Sequence, residues 1–195
     1  MSKSKKINIY QFKITLLGIS PKIWRRIQVP ESYKFSDLHE AIQNAMGWEN
    51  SHLHQFSIIS PNTGLPTSIG MLDDDWDQDE DLLDEKKIKI SKYFSIDNPE
   101  SQYEYDFGDG WEHQVLLEKI LPAEDGVKYP KCITGKNACP PEDCGGVWGY
   151  RELVEIMQDP KHPEYQERIE WIGEEFDPKE FTVESIEFSK AKACS

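Results

Sequence analysis

The chain has 195 residues, of which 37% are apolar and 11% aromatic, including six tryptophans. That is too rich in core-forming side chains for a disordered polymer, and the length suits one domain with a sizeable core, spanning 1–195. A formal net charge of −14 opposes non-specific contact with nucleic acid, which depends on neutralising phosphates with Lys and Arg. The candidates for a basic patch are Lys3, Lys5, Lys6, Lys22, Arg25 and Arg26. No run approaches the roughly 20 apolar residues of a membrane span. The basic start Met1–Lys6 is not followed by the apolar stretch of a signal peptide, so we expect a cytoplasmic protein with no membrane partner. Its four cysteines are then expected to be reduced unless they bind metal.

Residues 7–17 alternate, with Tyr10, Phe12, Ile14 and Leu16 on one face, and predict a strand. A turn at 18–21 leads to a second strand over 22–29, ended by Pro30. Arg25 shares that strand's Ile face, so it is expected at an edge or paired with an acid. Ser36 is placed to cap a helix running to Met46, with Gly47 as its stop. Its stripe is Leu38, Ala41, Ile42, Ala45 and Met46, which leaves His39 off-centre and partly exposed. Residues 52–59 predict a strand with His52, His54, Phe56 and Ile58 on one face, and two histidines so spaced can reach one metal. The alternative is a pair of half-buried, hydrogen-bonded histidines.

The segment Asp73–Glu85 holds nine acids and no base, and such a block is expected as a solvated loop. Asp73, Asp75, Asp77, Asp81 and Asp84 fit EF-hand spacing, but Gln78 stands where the turn needs Gly and Asp84 where it needs Glu. Trp76, alone among these acids, is expected to be exposed or to touch a partner. A short strand at 87–93 and a turn at 97–99 lead into a hairpin over Tyr103–His113.

Two hairpin registers compete. A two-residue Asp109-Gly110 loop puts Tyr103, Tyr105 and Phe107 on the opposite face from Trp111, His113, Val115 and Leu117. A three-residue loop, 108–110, puts all seven on one face, and Gly110 suits its left-handed closing position. We choose the second. It turns His113 into an aromatic face and pairs Asp106 with Glu112 on the other. Beyond the second strand, to about Ile120, lies a Gly/Pro-rich loop with Cys132, Cys139 and Cys144. Two helices separated by Asp159-Pro160 follow, then a turn over 176–181 and a short helix from 182 to about 190, with Cys194 beyond it.

Together these elements predict an α+β fold. Its mostly antiparallel sheet has about five or six strands, with one helix after the second strand and a helical C-terminal region.

At the hairpin and the cysteine loop the chain resembles the plasmid pRiA4b ORF-3-like family, whose members are also described as passenger proteins of transposable elements. The resemblance is carried by Ile23-Trp24-Arg25-Arg26, Phe35 to His39, Ala45 to Trp48, Ser51 to Phe56, Tyr105 to His113, and Cys139 to Gly146 with Gly149-Tyr150. It covers about residues 7–180. It implies an α+β domain of uncharacterised biochemical role. The mobile-element label reflects gene context.

Three chemistries are open to these residues. Zinc favours four Cys and His ligands, and Cys132, Cys139 and Cys144 with His113 (or His52 or His54) would supply them, although no Cys-x-x-Cys pair is present. The alternative is three reduced thiols in a loop. Asp106, Asp109 and Glu112 could hold Mg²⁺ or divide acid and base roles in a metal-dependent hydrolase or nuclease-like enzyme. The third is a binding module, in which Tyr105, Trp111 and Trp76, together with Trp24, Trp48 and Trp148, offer aromatic surface beside acids to a basic or peptide-like partner. Core packing is the competing expectation for Trp24, Trp111 and Trp171. No nucleophile elbow, P-loop or dinucleotide fingerprint is present. We take the binding module as the leading expectation and the hydrolase as the alternative.

Overall fold

The computed structural model describes residues 7–72, 81–173, 176–189 and 192–193. In chain order these form β1 (Asn8–Leu16), β2 (Trp24–Pro30), α1 (Phe35–Met46), β3 (His54–Ile59), β4 (Pro66–Gly70) and β5 (Leu82–Asp84). There follow a short 3₁₀ turn (Ile90–Lys92), β6 (Glu100–Tyr105), β7 (Trp111–Pro122), β8 (Lys128–Tyr129), β9 (Lys131–Lys136), α2 (Gly146–Gln158), α3 (Tyr165–Ile172) and β10 (Lys192–Ala193). The fold is α+β. An eight-stranded sheet runs β5-β4-β3-β6-β7-β1-β2-β9, antiparallel throughout except for β4 beside β5, and β8 and β10 pair separately.

The expected alternation in β1 buries Tyr10, Phe12, Ile14 and Leu16, and α1 lays its stripe over the same core. The helix starts at Phe35 with Lys34 at its N-cap position, two residues earlier than a Ser36 cap implies. The Lys34 N–H donates to the Asp37 carboxylate at 2.9 Å, and Gly47 closes the helix at φ 88.

Several expectations are corrected. Three strands of the sheet lie where none is expected. These are β4, directly after β3, β5, inside the acidic stretch, and β9, at the start of the cysteine loop, so the sheet is wider than five or six strands. Residues 87–93 hold one β-bridge, Lys89 with Lys34, and the 3₁₀ turn Ile90–Lys92 rather than a strand, and Ile90 drops into the core from this irregular segment. Residues 182–189 carry no helix; Phe181, Val183, Ile186 and Phe188 pack as a strap against the core. Arg25 is buried without a carboxylate among the described residues. Its donors go to the carbonyls of Ala45, Trp24 and Lys136 and to Cys139 Sγ, and Phe181 covers the guanidinium at 4.1 Å. Arg26 is also taken up, by Glu118 at 2.6 Å, so neither arginine is left for a basic patch; Lys3, Lys5 and Lys6 lie outside the described residues.

The hairpin has the expected parity but a longer loop. Tyr105 faces Trp111, Tyr103 faces His113 and Glu104 faces Glu112, so residues 106–110 form the turn. Phe107 therefore leaves the inner face and is exposed. Asp106 leaves the strand altogether, and the expected Asp106–Glu112 pair does not form.

Candidate functional site

The site grows from the sheet rows facing α1. Phe56, Tyr103 and His113 lie side by side on β3, β6 and β7, and His54 faces Tyr105 in the next row. Above them α1 presents His39 and Gln43, and both are buried. These side chains close a ring of hydrogen bonds. Gln43 Nε2 donates to Tyr103 Oη at 3.0 Å, Tyr103 Oη lies 2.8 Å from His39 Nδ1, and His39 Nε2 lies 2.5 Å from Asn50 Oδ1. The Asn50 backbone N–H returns to Gln43 Oε1 at 3.1 Å. An amide oxygen only accepts, so Nε2 of His39 carries the hydrogen and Nδ1 accepts from Tyr103. Burial, with the adjacent His54 charge second, pushes His39 down to about 4, so it is neutral near pH 7.

His54 lies flat on His39, with ring centroids 3.4 Å apart and planes within 2°. Its Nε2 meets Glu85 Oε2 at 2.6 Å, and both side chains are buried. Its Nδ1 has no hydrogen-bond partner. Glu85, read in the sequence as part of a solvated acidic run, is thus the buried partner of a core histidine. His39, read as partly exposed, is 4% exposed.

His52 stands next to this pair, in the bend before β3. Three carboxylates converge on its Nε2. Asp143 Oδ1 lies at 3.1 Å, Asp106 Oδ2 at 3.8 Å and Glu142 Oε2 at 3.8 Å, yet that nitrogen is shielded and makes no hydrogen bond. Among the described residues, His52, Asp106 and Asp143 form the one group whose ligand atoms all lie within 4.8 Å of one another. Glu142 is oriented by the Tyr105 hydroxyl and the Glu49 N–H, each at 2.8 Å. The two acidic segments are brought together by a close approach at Gly146, where a Cβ would lie 2.3 Å from the Asp109 carbonyl oxygen. Gly145 N–H also donates to Asp109 Oδ2 at 3.2 Å. His39, Asn50, His52, His54 and Glu85, with Met71 and Leu53, line a cleft of about 530 Å³.

The model of the plasmid pRiA4b ORF-3-like proteins matches residues 8–185 of this sequence. The chain belongs to that family. A similar relative is the uncharacterized protein y4hQ of Sinorhizobium fredii, 38% identical over 167 residues, which is 85% of this chain and 81% of the relative. The crystal structure of MM3350, a protein of unknown function from Methanosarcina mazei, is 48% identical with a TM-score of 0.88, covering 94% of this chain and all of that one. No helix among the described residues is long and apolar enough to cross a membrane.

In this pRiA4b ORF-3-like chain the expected site residues are dispersed. His113 is fully buried between Trp48 and Tyr103, with Nδ1 3.2 Å from the Tyr103 carbonyl and Nε2 without a partner. Burial pushes it down to about 4. Among the described residues, no three of Cys132, Cys139, Cys144 and His113 bring ligand atoms together. Cys132 donates to the Thr134 carbonyl, and Cys139 rests between Arg25 and Met46. Burial raises Cys139 to about 11 and Cys144 to about 12, so without a bound metal both are thiols near pH 7.

Asp109 caps the approach of α2, and Glu112 is exposed. Tyr105 and Trp111 are each 1% exposed, so they wall the site from within rather than offer surface. Trp48 is buried as well, whereas Trp148 and Trp171, the latter expected in the core, are exposed. Trp76 and Asp73, Asp75 and Asp77 of the EF-hand pattern lie outside the described residues.

Of the expected ligands, His52 and Asp106 come together; Asp143, Glu142, Glu85 and Asn50 were not foreseen. The Pro-Pro-Glu-Asp-Cys run offered one signal, two adjacent acids held in a rigid turn.

Proposed function

We propose that the protein is a ligand-binding module built on a divalent-cation site, with His52, Asp106 and Asp143 as ligands and Glu142 within reach. The observation that carries this reading is the His52 Nε2, shielded and unbonded where three carboxylates converge. A cation would offset the repulsion among those acids and take the imidazole lone pair. One imidazole with carboxylate oxygens suits manganese or zinc better than a thiol-loving site would. The cation, beside a cleft rather than in a closed cage, leaves room for a ligand. The charge of −14 favours a basic or peptide-like partner over nucleic acid. Residence in the cytoplasm belongs to the same reading, supported by Cys132, Cys139 and Cys144 standing as free thiols.

Calorimetric titration of the full chain with Mn²⁺ and Zn²⁺ tests this. One ion per chain is expected, lost in His52→Ala and Asp143→Asn and kept in Cys139→Ser. Binding that survives His52→Ala, or that disappears with Cys139→Ser, refutes the assignment.

A further inference from the structure

A second cavity, of about 440 Å³, lies between the end of α1, the Pro140–Glu142 turn and the strap that follows α3. Small-ligand pockets typically hold about 300–1,000 Å³. Burial orders its lining. Arg25 is 3% exposed, whereas Asp177 and Glu180 are exposed, so one cation lies deep and two acids stand at the mouth. Met46, Trp48, Phe176 and Phe181 supply apolar wall.

The guanidinium of Arg25, rather than its stem, meets this space. Phe181 lies 4.1 Å from Cζ and Cys139 Sγ lies 3.4 Å from Nη2, and both of those residues line the cavity. The guanidinium is incompletely satisfied. Nε donates to the Ala45 carbonyl and Nη1 to those of Trp24 and Lys136, but Nη2 meets only the thiol, a weak acceptor. Among the described residues its second N–H has no acceptor, and no carboxylate balances the charge. A buried charge is ordinarily paired, and a carboxylate entering the cavity would pair this one. A simple anion is nevertheless the wrong occupant. Glu142, Asp177 and Glu180 line the same space and repel phosphate or a dicarboxylate. They suit a cation carried on the same molecule.

We infer that this cavity binds a free α-amino acid with an apolar side chain. Its carboxylate accepts from Arg25 Nη2, its ammonium faces Asp177 and Glu180, and its side chain packs on Met46, Trp48 and Phe176. A zwitterion carries no net charge, so it enters a chain of charge −14 without the repulsion that an anion meets. None of His52, Asp106 and Asp143 takes part, so the inference stands or falls apart from the cation reading.

The test is calorimetric titration of the full chain in EDTA, which strips any divalent cation. The probes are L-phenylalanine, 3-phenylpropanoate, which lacks the ammonium, and 2-phenylethylamine, which lacks the carboxylate. One L-phenylalanine per chain is expected, with each of the other two bound about 10-fold or more weakly, as the loss of a charge-assisted contact requires. Arg25→Lys removes the planar fork and should weaken L-phenylalanine and 3-phenylpropanoate alike, leaving 2-phenylethylamine unchanged. The double variant Asp177→Asn, Glu180→Gln, at exposed positions, should weaken L-phenylalanine but not 3-phenylpropanoate. Melting curves show whether Arg25→Lys folds; the wild-type series and the double variant decide without it. No binding of L-phenylalanine at millimolar concentration, equal binding of either one-charge probe, or undiminished L-phenylalanine affinity in the double variant or in folded Arg25→Lys overturns the inference.

Discussion

Lowering the pH from 7.5 to 5 should destabilise this protein by about 4 kcal/mol through two histidines alone. His39 and His113 are both pushed from 6.5 to about 4, in each case chiefly by burial. A folded-state value below the unfolded one means that the unfolded chain binds protons that the native state refuses. Stability is therefore complete above pH 6.5 and is lost as pH falls towards 4. At pH 5 an imidazole titrating at 6.5 is nearly all protonated, whereas one titrating at about 4 is roughly one-tenth protonated. Integrating the difference from pH 7.5 gives about 2 kcal/mol for each ring. That is a large part of a typical domain stability of about 5–15 kcal/mol. Glu118, held low by its hydrogen bond to Arg26, adds its own loss only at lower pH, as the unfolded carboxyl begins to protonate. The window from 7.5 to 5 is thus left to histidine. Urea midpoints measured across it, at constant m-value, read the effect directly. In His113→Phe the total stability will change, but the pH-dependent part should fall by half. A midpoint that does not move between pH 7.5 and 5, or an undiminished pH dependence in His113→Phe, refutes the reasoning.

Two further substitutions probe the supports of the site. Tyr105→Phe removes the hydroxyl that orients Glu142 and accepts from the Ser51 N–H; the ring stays packed, so Mn²⁺ affinity should weaken about 10-fold by titration, with a stability loss of about 1–3 kcal/mol. Gly149→Ala places a Cβ 1.8 Å from the Cys144 carbonyl oxygen, so the 142–145 turn must shift. Thermal melting should show a loss of about 1–3 kcal/mol, accompanied by weaker cation binding.

The hydrophobic pattern carried the framework well, because parity is robust. Every inner residue from Tyr103 to Leu117 except Phe107 lands on the expected face, although the loop is two residues longer than chosen. Adding two residues to a hairpin loop preserves the faces, whereas adding one inverts them. The same pattern could not reveal β5, where charge outweighs strand propensity in Leu82-Leu83-Asp84 and pairing with β4 decides. It misjudged Glu85 for a related reason. A run of acids reads as solvated as a block, but one member is turned inward by a partner 31 positions away, His54. The cysteines read differently. Their clustering in sequence suggested one ligand set, yet among the described residues their sulfurs do not converge: Cys132 donates to the Thr134 carbonyl and Cys139 lies between Arg25 and Met46.

What escaped the sequence most completely is the set around His52, and its backbone explains why. Four non-glycine residues among those described have positive φ, and three of them, Asn50 (60°), Asp106 (56°) and Asp143 (56°), adjoin or face His52. Asn and Asp tolerate this region better than other side chains, but each such residue still carries strain that the surrounding structure must hold. At Asp106 the turn is secured by its own side chain, which accepts from Gly108 N–H at 2.9 Å and leaves Oδ2 facing His52. Strand periodicity assumes extended backbone, and so it assigned Asp106 to the outer face beside Glu112. One left-handed residue swings the carboxylate out of that row and towards a histidine more than 50 positions earlier. Neither spacing nor composition encodes that movement. It needs the register of β3 against β6, which sets His54 opposite Tyr105 and so brings the start of β3 beside the end of β6. The cluster is therefore a product of sheet closure, and the residues gathered around His52 are turn residues whose types, Asn, Asp and Glu beside glycine and proline, read in the sequence as ordinary loop chemistry.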